Sequence, residues 1–136
     1  MKAPLRPADV SQVVECVRDA DGAGLALRAG GTKDRLGRAT SATTDVDLSA
    51  LSGIVTYEPE ELILIARPAT SLVEVEELLA QNGQHLAFEP PQWGPAATLG
   101  GTLGVGASGP RRFVAGAARD FVLGMEFVDG LGRVIR

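Results

Sequence analysis

One cysteine, one histidine and one tryptophan in 136 residues exclude whole classes of chemistry. The single thiol, Cys16, makes no internal disulfide, and with His85 it leaves too few soft ligands for a zinc or iron–sulfur site. A metal-free, intracellular protein is expected. Positive charge is not in excess either: 13 Lys and Arg stand against 17 Asp and Glu, a net charge of −4. General attraction to nucleic acid or to an anionic membrane is therefore not expected. Long hydrophobic runs are lacking, since the longest strongly apolar stretch, Leu62 to Ala66, is far too short to cross a bilayer. Met1 to Pro7 leads into a polar helix start, unlike the apolar core of a signal peptide. These absences predict a cytoplasmic protein whose partner is small.

Glycine, by contrast, is plentiful. It is concentrated in two stretches, Arg28 to Gly37 and Thr98 to Gly109, and five glycines fall within the ten residues 100–109. Glycine loses more backbone freedom on folding than any other residue, so such clusters mark places where backbone lies close to something else. A cofactor with a pyrophosphate and a flat ring, held between two loops, fits that pattern. The remaining composition, 45% hydrophobic and 22% charged, is that of an ordinary globular chain long enough for one modest core.

Asp9 or Ser11 is placed to cap a helix whose Val10, Val13, Val14 and Val17 recur with the spacing of one buried face, ending near Gly22. Leu25 to Arg28 reads as a short strand running into the first glycine stretch, and Thr43 to Leu48 as the next. Ile54 to Glu58 and Leu62 to Arg67 form two further β-favouring runs, interrupted at Glu58-Pro59-Glu60-Glu61 and so read as a hairpin. Ser71 with Glu74 makes a capping-box pattern, and Leu72, Val75, Leu78 and Leu79 supply the apolar face of a helix that stops around Asn82-Gly83. Pro90-Pro91 and Pro95 bracket a rigid segment before the second glycine stretch. Phe121 to Val128 reads as a long strand, turning at Asp129 to Gly132 into Arg133 to Arg136.

Several familiar motifs fail on context. Gly104 to Gly109 matches G-x-G-x-x-G, but the dinucleotide fingerprint needs a strand before it and a helix after it, and neither is expected here. A P-loop needs a lysine where this chain has Ala107-Ser108, and the glycines flanking Ser108 are out of step with a nucleophile elbow. For the first stretch two readings stand: a tight turn after a strand, or consecutive N–H groups from Ala29 to Lys33 curled into an anion nest, with Arg28 or Lys33 adding charge. The second stretch reads either as a glycine-lined packing seam or as a place for a flat ring. Thr98, Thr102 and Ser108 then offer hydroxyls to the ring's polar edge, or cap helices and bond local backbone. Trp93 reads as a partly buried surface anchor, or as a residue stacked on the ring. His85 reads as a solvated or satisfied histidine, Cys16 as a small buried hydrophobe, and Arg111, Arg112 and Arg119 as a solvated charged loop or as contacts to a phosphate or carboxylate.

In chain order, the stretch Arg28 to Gly37, the strand Asp45 to Ser49, the helix from Ser71 with Leu86 to Pro91, and Thr98-Leu99-Gly100-Gly101 resemble the PCMH-type FAD-binding domain of the vanillyl-alcohol oxidase superfamily. Pro90-Pro91, Ala107 to Arg112 and Ala115 to Gly124 are most similar to the E-type subunits of bacterial glycolate oxidases. The resemblance implies an α+β fold with a small parallel-strand subdomain and an incomplete antiparallel subdomain, residues 1–136 forming one FAD-binding domain truncated at its C-terminus. It implies phosphate contacts from Ala29, Gly30, Gly31, Thr32 and Lys33. Pro90, Thr98, Gly100, Gly101, Ser108, Gly109 and Gly116 would lie along the ribityl chain and isoalloxazine. Family members with covalent flavin usually use a histidine where this chain has Thr32, so the FAD is expected to be non-covalent. Many 2-hydroxy-acid dehydrogenases of the family carry Asn where this chain has Gly106.

The expected function is the FAD-binding portion of a glycolate-oxidase-type 2-hydroxy-acid dehydrogenase subunit, inactive as this segment alone. Its expected partners are a D-type flavoprotein and an iron–sulfur F-type subunit, which would also give any peripheral contact with the inner membrane. Two rivals stand beside it: a non-catalytic assembly subunit built on the flavin fold, and the flavin domain of a molybdenum-type hydroxylase. Pro90-Pro91 and Arg119-Asp120-Phe121 match the glycolate oxidase pattern better than the last of these.

Overall fold

The computed structural model describes residues 3–39, 41, 42 and 44–136. Helix α1 (Val10–Asp19) starts where Asp9 Oδ1 accepts the Gln12 N–H at 2.9 Å, satisfying one of the donors a helix N-terminus leaves open. Strand β1 (Leu25–Arg28) then pairs in parallel with β2 (Thr44–Asp47), in the register Leu25 with Thr44 through Arg28 with Asp47. Leu5 adds a parallel bridge to Val46 on the other side. Thr43, expected at the start of β2, lies outside the described residues. Strands β3 (Ile54–Glu58) and β4 (Ile63–Ala66) form the antiparallel hairpin expected from the proline and charge between them.

Helix α2 (Leu72–Ala80) is capped by Ser71, whose hydroxyl accepts the Val73 N–H at 3.1 Å. Its Leu72, Val75 and Leu79 are buried and join Val46, Leu51, Ala69, Phe88, Ala97, Ala107 and Ala118 in the core. Full burial of one Leu or Val contributes about 1.5–3 kcal/mol, so three such residues hold α2 far more firmly than its cap does. Thr70, fully buried beside it, accepts from Gly53 N–H and donates to the Arg67 carbonyl at 2.7 Å, tying the start of β3 to the entry of α2.

Three features differ from the sequence reading. Helix α1 forms, but none of its residues is buried and Val10 is 40% exposed. The element packed on it is the C-terminal hairpin, reached through Arg18, which donates to the Gly132 carbonyl at 3.1 Å. Its strands are too short to cover the whole apolar face. The long strand expected over 121–128 shrinks to β5 (Phe127–Val128), which pairs with β6 (Val134–Ile135). β6 offers a ladder partner to two residues only, and Phe121 instead closes a 3₁₀ turn, Ala118–Phe121. Third, the second glycine stretch contains a helix, α3 (Leu99–Gly104), and α4 (Arg112–Ala115) follows it. Glycine costs a helix about 1 kcal/mol per residue, so α3 is held by its surroundings rather than by propensity. Thr98 Oγ1 caps it by accepting the Gly101 N–H at 3.2 Å, and Gly100 N–H donates to the Pro68 carbonyl at 2.8 Å.

The turn between β5 and β6 carries a pH dependence. Asp129 accepts backbone N–H groups of Arg133 and Leu131 and pairs with the Arg133 guanidinium, and these bonds, Arg133's first, hold its carboxyl below the usual carboxylate range. A carboxyl with a lower pKa folded than unfolded adds stability above the unfolded value and loses it as pH falls through the folded one. Asp129→Asn is therefore expected to lower the thermal midpoint near neutrality. In acid, below the carboxylate range, the gap to wild type should close, and thermal melts at the two pH values would show it.

Candidate functional site

The two glycine stretches meet. At the end of β1 the chain turns through Ala29 to Lys33, and Gly30 packs so tightly on Ala96 that a methyl group in its place would overlap the Ala96 carbonyl oxygen and lie 2.7 Å from its carbon. Gly31 follows with φ +65°, a left-handed conformation that L side chains rarely adopt. Among the described residues, the backbone N–H groups of Ala29, Gly30, Gly31, Thr32 and Lys33 donate to no protein acceptor; the turn's first bond is Asp34 N–H to the Gly31 carbonyl. Unpaired N–H groups in succession are what an anion can satisfy.

Lys33 crosses from this loop toward α3. Its Nζ lies 3.5 Å from Thr32 Oγ1, 3.5 Å from where a side chain on Gly101 would begin, and 5.3 Å from the centroid of the Trp93 ring. No ion pair among the described residues includes it, and its partial burial pushes the ammonium below the ordinary lysine range. Arg28 differs: its guanidinium meets Asp34 at 2.6 Å and Asp45 at 3.5 Å. Of the two cations named from the sequence, Lys33 is the one left without a carboxylate. A groove of about 310 Å³ on the Arg28 side of the loop runs from Pro4 past Gly30 and Gly31 to Asp45 and Asp47, and its charged lining is mainly acidic.

The other expected site residues form a second group. Gly109 N–H donates to the Phe88 carbonyl at 2.8 Å, and a methyl on Gly109 would lie 2.8 Å from Glu89 Cβ. Ser108 Oγ accepts the Ala118 N–H at 2.9 Å, Gly116 turns with φ +104° against Asp120 and Phe121, and Phe121 stacks obliquely on Phe88 at 5.6 Å. Pro90 is buried beside them and lines a groove of about 600 Å³ with Pro110, Glu76 and His85. The segment 91–97 and α3 link this group to the first. Thr98 and Ser108 thus bond local backbone, while the Thr102 hydroxyl is fully buried with no hydrogen-bond partner among the described residues. Gly100 and Gly109 are each close to protein backbone, so for these two the packing-seam reading accounts for the missing side chain, and Gly30 of the first stretch packs on backbone in the same way. Cys16 is half-buried, and His85 and the three arginines of the charged loop are exposed.

Ala96 had no sequence signal, because nothing local marks a carbonyl that packs on a residue 66 positions away. Trp93 carried one: it is the chain's single tryptophan, set among prolines and next to a glycine.

The family model described as "FAD binding domain" matches residues 1–136. Glycolate oxidase subunit GlcE of Escherichia coli (strain K12) is 42% identical over 135 residues, covering 97% of this chain and 38% of that protein. An uncharacterized FAD-linked oxidoreductase of Mycobacterium tuberculosis is 22% identical over 134 residues, covering 96% of this chain and 29% of the other. Among solved structures, berberine bridge enzyme in complex with (S)-reticuline superposes with a TM-score of 0.71 at 20% identity, covering 96% of this chain and 26% of the enzyme. The chain thus spans less than two-fifths of the length of these relatives, and the structural likeness bears on fold alone. It agrees with the α+β arrangement of one parallel pair and two antiparallel hairpins.

Proposed function

The chain belongs to the FAD-binding domain family of the PCMH type, and from that premise we propose that it is the FAD-binding portion of a glycolate-oxidase-type 2-hydroxy-acid dehydrogenase subunit. The observation that carries this reading is the run of N–H groups from Ala29 to Lys33 that are free among the described residues, ending in a cation that none of their carboxylates neutralises. Such a loop fits the pyrophosphate of FAD. Ala29, Gly30, Gly31 and Thr32 offer N–H donors, and Lys33 adds the charge. Gly101, where a side chain would begin 3.0 Å from Thr98 Oγ1 and 3.5 Å from Lys33 Nζ, lets the lysine lie against α3. Pro90, Thr98, Gly100, Ser108, Gly109 and Gly116 form the framework along which the ribityl chain and the ring would run. Thr32 stands where family members with covalent flavin usually carry a histidine, so the cofactor would be held non-covalently.

When bound, FAD supplies hydride acceptance from the α-carbon of a 2-hydroxy acid. The residues described here bind and orient it. The 42% identity to a protein named as a glycolate oxidase subunit supports the substrate class and a place among other subunits; by the resemblance of the sequence, these would be a D-type flavoprotein and an iron–sulfur F-type protein. Phe113, Val114 and Leu123, each more than 80% exposed, suit a surface covered by further protein. Among the described residues no helix is long and apolar enough to cross a membrane. We place the protein in the cytoplasm, with any membrane contact made through partners.

Gly31→Val tests the loop. A Cβ there would meet only Asp34 Oδ2, at 3.8 Å, and forcing a β-branched residue into a left-handed conformation costs about 1–2 kcal/mol. The loop must then turn differently and its N–H groups diverge. Equilibrium titration with FAD should show affinity roughly tenfold weaker, with the fold intact by circular dichroism; unchanged affinity would mean that the loop is only a turn.

A further inference from the structure

The geometry points to Trp93 as a positioning residue: we infer that its indole holds the Lys33 ammonium between the loop 29–33 and α3, ready-placed for the anionic part of the cofactor. This rests on the FAD reading above. Three observations carry it. The Nζ of Lys33 lies 5.3 Å from the indole centroid, within cation–π range. The ammonium also sits 3.5 Å from Thr32 Oγ1 and 3.5 Å from where a side chain on Gly101 would begin, at the join of the two glycine stretches. Trp93 is 43% exposed, so core packing does not explain why so large a ring stands here.

The physical advantage lies in what an indole does not do. A carboxylate would fix the lysine equally well but would neutralise it, as Asp34 and Asp45 do for Arg28. The face of an indole attracts the cation through its quadrupole and leaves the full charge available to a phosphate. A free lysine side chain loses rotamer freedom when it closes on a ligand; one already resting on a ring has lost part of it beforehand.

Two readouts on the full chain test this. In the protein without FAD, the Lys33 ε-methylene protons should be shifted upfield by the ring current of Trp93. That shift should vanish in Trp93→Leu and survive in Trp93→Phe. In FAD titrations followed by calorimetry, Trp93→Leu should bind about two- to fivefold more weakly, Trp93→Phe should recover most of the loss, and Trp93→Leu should add nothing in a Lys33→Met background. An equal loss in that background would overturn the inference, because Trp93 would then touch the flavin itself. Absence of the upfield shift in wild type would overturn it whatever FAD does. If the shift is present and wild type takes up no FAD, the FAD reading fails while the placement of Lys33 stands.

Discussion

Gly30→Ala is expected to lower the thermal midpoint by roughly 10 °C and to abolish FAD uptake. The added methyl would occupy the space of the Ala96 carbonyl oxygen and approach its carbon to 2.7 Å. Both groups belong to backbone, so no side-chain rotation relieves the overlap. Overpacking a tight site costs about 1–3 kcal/mol, and a clash with a carbonyl belongs at the upper end. In a domain of this size about 3 kcal/mol corresponds to a shift of that order. Binding suffers as well, because the only relief is to separate the loop 29–33 from the segment that carries Trp93 and leads into α3. Gly31→Ala provides the contrast. It has no such clash, and its φ of +65° makes the cost conformational, about 1 kcal/mol. Melting curves and FAD titrations of the two variants would separate joining of the loops from shape of the loop. Equal midpoints would contradict the account.

Lys33→Met should weaken FAD binding about tenfold to a hundredfold, since a hydrogen bond to a charged group contributes about 1.5–3 kcal/mol. Arg28→Met should change it far less, because the Arg28 guanidinium is already engaged by Asp34 and Asp45. The lysine also gives a pH signature. Burial lowers its pKa, and an anion prefers the charged form, so affinity is full below that pKa and falls as pH rises through it. The fall should begin at lower pH than an ordinary lysine would give, and the Lys33→Met profile should be flat over the same range. Isothermal titration across the alkaline range checks both arms. A wild-type profile identical to the variant's would remove Lys33 from the phosphate site.

Much of the scaffold was legible because its signals are local. Ser71 before a 3.6-residue apolar pattern marked α2, and Pro59 between two β-favouring runs marked the hairpin. α3 was not legible, since Gly100, Gly101 and Gly104 argue against a helix, and its stability comes from the distant Pro68 carbonyl and the Thr98 cap. The overlong strand at Phe121 failed for a related reason: a hydrophobic run says nothing of whether a partner strand is present. At the candidate site, residue chemistry was readable but pairing was not. Arg28 and Lys33 are both cations in one loop, and only the parallel register that brings Asp45 opposite Ala26, together with the fold of Asp34 back onto Arg28, decides which stays free.

Because the chain contains one tryptophan and it stands beside Lys33, its fluorescence reports on the site directly. Titrating the purified chain with FAD, and in parallel with riboflavin, which lacks the phosphates, tests the claim that the loop 29–33 and Lys33 grip a pyrophosphate. FAD should quench Trp93 saturably, riboflavin should bind much more weakly, and ADP should compete. No saturable response to FAD, or riboflavin bound as tightly as FAD, would contradict it.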